Sequence, residues 1–96
     1  MPALEELRAR IDSVDEKIID LIAERAGYVH QVAGLKETQE DVVVESRQEE
    51  IYRTRRAWAR QHELDPDFIE NLYRFMIEHF VEQERRLIAA RDEKHE

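Results

Sequence analysis

One apolar stripe constrains this chain more than any other feature. It runs Leu4, Leu7, Ile11, Val14, Ile18, Leu21, Arg25, Val29, Val32 and Lys36. Steps of three and four residues keep all ten positions on one face of a helix. No proline interrupts the run after Pro2. A helix over about residues 4–36 would be about 50 Å long at ~1.5 Å per residue. A compact domain of this chain length has a diameter near ~26 Å, from a radius of gyration of ~13 Å. One copy cannot cover such a stripe, so the spacing predicts a dimer with its long helices paired or interlocked.

Two cations stand on this apolar face. An unpaired charge in a core costs several kcal/mol or more. Arg25 and Lys36 are 11 residues apart, about three turns, which aligns their side chains with Cα atoms ~16 Å apart. Both side chains are long enough to converge on a small anion between them. The alternative is that each pairs with a core carboxylate or extends to the helix edge. Arg8 borders the same stripe but lies 17 residues from Arg25, about 25 Å along the axis. To join that site, Arg8 must come from a second subunit.

The rest of the chain reads as two more helices, making an all-α domain of three helices over residues 1–96. The segment ETQEDVVVE (37–45) breaks the helical pattern, with Val42, Val43 and Val44 read as loop residues packing on the dimer. Ser46 and Glu49 have the spacing of a capping box, which predicts a helix from Ser46 to near His62. Arg47 then falls in its first turn, where a cation opposes the helix dipole unless an anion binds nearby. Asp65 followed by Pro66 predicts the start of the third helix. Its apolar face is Ile69, Leu72, Tyr73, Met76, Ile77, Phe80, Glu84 and Leu87. Glu84 interrupts this face as the cations interrupt the first. A salt bridge to Arg25 or Lys36 is the plainer account of it. The charged tail from Arg91 is expected to fray. Tyr28, Tyr52, Trp58 and Phe75 read as core or partner-facing aromatics.

Composition narrows the function. The net charge of −8 disfavours nucleic acid and anionic lipid. It also means that a cationic interior does not follow from general basicity. No apolar run approaches the roughly 18 residues of a membrane span. The start, MPALEELRAR, lacks the apolar core of a signal peptide. There is no Cys, hence no disulfide or thiolate chemistry, and the expected location is the cytoplasm. His30, His62, His79 and His95 show no metal-ligand spacing. No cofactor or metal is expected. The inventory is cations, one acid and apolar walls, which suits a small dianion held without covalent catalysis.

These residues carry a resemblance. LRARIDSVDEKIIDLIAER (7–25), the VAGLK run ending at Lys36, the ESRQEE start of the second helix and LDPDFIENLYRFMIEHFVEQE (64–84) together resemble the all-helical class of chorismate mutase. The likeness runs from about Leu4 to Leu87. It implies an intertwined homodimer that binds chorismate among its helices and rearranges it to prephenate. It implies that Arg25, Arg47 and the Arg8 of the other subunit grip the two carboxylates. Lys36 would donate to the ether oxygen of the breaking bond, with Glu84 as second donor. In that role Glu84 must be protonated, since only the acid form has a hydrogen to donate. Gln48 stands where the family has a glutamate contacting the ring hydroxyl, and Glu45 lies near a second hydroxyl-contacting position, in a loop one residue shorter. Val32, Ile77 and Val81 match apolar wall positions. Isochorismate-pyruvate lyases share the Arg, Arg, Lys frame, and Tyr28-Val29, Phe80 and Gln48 lean toward them. The mutase is the favoured reading, with the lyase and a non-enzymatic helical interaction module as alternatives.

Overall fold

The computed structural model describes residues 3–35 and 45–94. Lys36 and Val42–Val44 lie outside the described residues. Three helices are present: α1 (Leu4–Gly34), α2 (Glu45–Gln61) and α3 (Pro66–Lys94). The described residues contain no strand. The chain divides into two compact units, Met1–Val32 and Ala33–Glu96.

The first unit is helical from Leu4 onward. Ala3 caps it, its carbonyl accepting from the N–H of Glu6 at 2.9 Å and of Leu7 at 3.2 Å. Glu5 and Glu6 in the first turn suit the positive end of the helix dipole. Leu4, Leu7, Ile11, Val14, Ile18 and Leu21 are each between 45% and 62% exposed. Nothing from Leu4 to Val32 is fully buried; Arg25, Ala26 and Val29 are half-buried. The stripe is therefore real as a helix face and open to water in the single chain.

The second unit is built on a hairpin of α2 and α3. Its buried apolar residues are Ala33, Ile51, Ala59, Ile77 and Ile88. Arg56 pairs with Glu70, and Arg74 lies over the Tyr52 ring 4.0 Å from its centre. Moving back along α2 thus moves forward along α3, so the two run antiparallel. The turn between them has a defined cause at each end. Glu63 adopts φ of 59°. The N–H of Leu64 then donates to the Ala59 carbonyl at 2.8 Å, and that of Glu63 to Arg60 at 3.2 Å. This left-handed cap satisfies carbonyls that the end of α2 would leave open. Asp65 then starts α3, its Oδ1 accepting from the N–H of Asp67 at 2.9 Å, with Pro66 in the first helical position.

Three expectations need correction. α2 begins at Glu45, so Ser46 stands inside the first turn and is not the cap. A carboxylate-bearing residue at the first position suits the dipole, and the helix extends to include it. α1 ends at Gly34, two residues before the expected limit, where glycine has the lowest helical propensity after proline. α3 continues through Arg91 to Lys94 where fraying was expected. Of the aromatics read as core or partner-facing, Phe75 is 74% exposed and Tyr28 and Trp58 are exposed as well, so the single chain does not cover these three.

Candidate active site

The site candidates fall on all three helices. On α3, Ile77, Val81, Glu84 and Ile88 follow steps of four, three and four, which puts them on one face. Ile77 and Ile88 are buried and Val81 half-buried. Glu84 lies among them at 4% exposure. The carboxyl that interrupts the apolar stripe is thus withdrawn from water, about 10 Å along the helix from Ile77. The structure brings three predicted residues together here: Ile77, Val81 and Glu84.

On α2, Arg47 and Gln48 share the first turn. Gln48 is half-buried and Arg47 exposed. One guanidinium nitrogen of Arg47, Nη1, donates to Oε1 of Glu50 at 2.5 Å. Glu45 is the first residue of α2; its side chain lies outside the described residues.

On α1, Arg25 is half-buried and Val32 is 50% exposed. They are seven residues apart, two turns and about 10 Å, so they share one side of the helix. Arg8 is exposed, and the straight run of α1 separates it from Arg25 by about 25 Å. One copy of α1 does not bring Arg8 and Arg25 together.

Two features go beyond the sequence, which leaves either Thr54 or Arg55 on the face of α2 that carries Ile51 and Trp58. Arg55 is half-buried, with its guanidinium 4.6 Å from the centre of the Trp58 ring and 5.5 Å from that of Tyr73. Its Nη1 donates to the Thr54 hydroxyl at 2.9 Å, while its buried Nε has no hydrogen-bond partner among the described residues. The available signal was its place four residues beyond Ile51, on the buried side of α2. The second feature is an ionic cluster across the hairpin. Arg56 donates to Asp67 at 2.8 Å and to Glu70 at 3.2 Å, and Arg74 donates to Glu70 at 2.8 Å. The hydrogen bond from Arg74 holds the Glu70 carboxyl below its ordinary range, against a partial loss of hydration that pushes it up. Arg56 is raised, first by its hydrogen bond to Asp67, and Arg74 is raised by its bond to Glu70.

No described helix is long and apolar enough to cross a membrane.

The chain matches the family model described as chorismate mutase type II over residues 7–85. It is 33% identical over 78 residues to a chorismate mutase of Methanocaldococcus jannaschii, covering 79% of this chain and 78% of that relative. It is also 35% identical over 95 residues to a bifunctional chorismate mutase/prephenate dehydratase of Stutzerimonas stutzeri. That match covers 91% of this chain but spans only 25% of the relative. Nothing in these likenesses favours the isochorismate-pyruvate lyase. The matched span contains the Arg25 position of α1, the first turn of α2 and the Glu84 face of α3, and by it this chain belongs to the chorismate mutase type II family.

Proposed function

We propose that this chain rearranges chorismate to prephenate, a step of the shikimate pathway, as a homodimer and without a cofactor. Within one molecule a carbon–oxygen bond breaks as a carbon–carbon bond forms, and no atom is gained or lost. The reaction therefore asks for positioning and charge stabilisation only.

Arg25 and Arg47 of one subunit, with Arg8 of the other, hold the two carboxylates. That grip selects the compact conformer in which the reacting carbons meet. Lys36 and a protonated Glu84 donate to the ether oxygen as negative charge grows on it. Donors fixed in advance, in a site shielded from water, stabilise that charge without reorganising. Gln48 and Glu45 contact the ring hydroxyl side, and Val32, Ile77 and Val81 form walls. Residues 1–96 act as one domain in this reading.

One observation carries the reading: a carboxyl buried on the Ile77–Val81–Ile88 face of α3, inside a family match that spans most of the chain. The dimer is supported by the apolar face that α1 leaves open to water and by the distance between Arg8 and Arg25. Family membership argues against a purely structural helical module.

The test is turnover of chorismate by the pure protein, followed by its absorbance, with isochorismate as the second substrate. Prephenate from chorismate and no pyruvate from isochorismate is the expected result. Pyruvate release from isochorismate alone would overturn it. Arg25→Ala should lose activity while keeping its helical content; a variant that unfolds but stays active per folded molecule would make Arg25 structural.

A further inference from the structure

We propose that Glu50 acts as a stand-in for the substrate on Arg47, occupying its guanidinium in the free chain and competing with the incoming carboxylate. This rests on the reading of Arg47 as a carboxylate-binding residue.

Three observations point there. Arg47 Nη1 and Glu50 Oε1 are in charge-assisted contact at 2.5 Å, one helical turn apart. Their side chains are 55% and 51% exposed, so water and salt screen the pair and it exchanges readily. Arg47 also stands in the first turn of α2, where the helix dipole repels a cation and welcomes an anion. Glu49, one residue before Glu50, pairs with no cation among the described residues. The contact is thus specific to one of two adjacent carboxylates.

The consequence is a tax on binding. When the binding-competent form is only part of the population, apparent affinity falls by that fraction. An exposed pair of this kind shifts such an equilibrium modestly, so the expected effect is about two- to sixfold in KM. The chemical step is untouched, because substrate in place has already displaced Glu50.

Glu50→Gln and Glu49→Gln make the comparison, since each removes one charge from the same turn. Both positions are exposed, and circular dichroism checks that both variants fold. In the chorismate assay, Glu50→Gln should lower KM about two- to sixfold at unchanged kcat, and Glu50→Ala should do the same. Glu49→Gln should leave KM near that of the parent. In an Arg47→Ala background the Glu50→Gln effect should vanish. An unchanged or raised KM for Glu50→Gln overturns the proposal, a raised one making Glu50 an aid to Arg47. Equal lowering by both Gln variants also overturns it, leaving only overall charge. If Arg47→Ala alone leaves KM unchanged, the binding role of Arg47 fails instead. A parent without chorismate turnover overturns the enzymatic reading, and this proposal with it.

Discussion

Arg56 of α2 reaches across the hairpin to Glu70 of α3 at 3.2 Å. The other oxygen of the same carboxylate takes Arg74 of its own helix at 2.8 Å. Glu70 therefore ties the two helices at a fixed register, two helical turns before Ile77.

This tie should make the hairpin sensitive to acid. Glu70 is held below its ordinary value in the folded chain, first by the Arg74 hydrogen bond. Its contribution is then fully present above the ordinary value of 4.5 and is lost as pH falls through the folded value. Glu70→Gln should melt at a lower temperature than the parent at pH 7. The gap should close in strong acid, where the parent side chain is neutral too. Thermal unfolding followed by circular dichroism across pH 2.5–7 checks this, and a gap that stays constant rules it out.

The turn offers a stabilising change. Glu63 has φ of 59°, a region that disfavours side chains with a Cβ by about 1–2 kcal/mol. Glycine carries no such penalty but has more freedom to lose on folding. Glu63→Gly should gain about 0.5–1 kcal/mol, roughly 2–6 °C in melting midpoint at fixed protein concentration. A lower midpoint would mean that the Glu63 side chain stabilises the turn in some other way.

The open face of α1 separates one copy from two. A charge placed at Ile18 costs little, within about 0.5 kcal/mol, if that position faces water in solution. It costs several kcal/mol if a second chain covers it. Ile18→Glu should shift the sedimentation coefficient from dimer to monomer and abolish chorismate turnover, since Arg8 would no longer reach its partner's site. A parent that already sediments as a monomer contradicts this.

Glu84 carries the clearest kinetic forecast. Glu84→Ala should lower kcat about 10²–10³-fold, the usual loss for one donor to a developing oxyanion. Its melting curve must be recorded alongside, because the position is buried. An amide also donates a hydrogen bond, so Glu84→Gln should keep far more of the rate than Glu84→Ala. A folded Glu84→Ala variant that turns over at the parent's rate would remove Glu84 from the reaction.

Local rules made much of this legible. The Asp65-Pro66 pair fixed the start of α3 because cap and proline act within one turn. The interruption of an apolar stripe marked Glu84 for burial because helical periodicity alone assigns its face. The same reasoning overshot at Ser46, where helix starts shift by a residue or two without any change in pattern. Arg56 and Glu70 were not legible as partners. They lie 14 residues apart and meet only once the hairpin closes. Arg55 was ambiguous for a related reason. Its neighbour Tyr73 belongs to the other helix, and nothing near Arg55 in sequence announces that ring.

The Arg55 stack has a practical consequence. Trp58 is the single tryptophan of the chain, and its indole lies against a guanidinium that also faces Tyr73 of α3. Opening the hairpin removes Tyr73 from that stack and changes the surroundings of the indole. Intrinsic fluorescence excited at the indole band thus gives this protein a built-in optical gauge of α2–α3 closure, with no label attached and no proposed site residue altered.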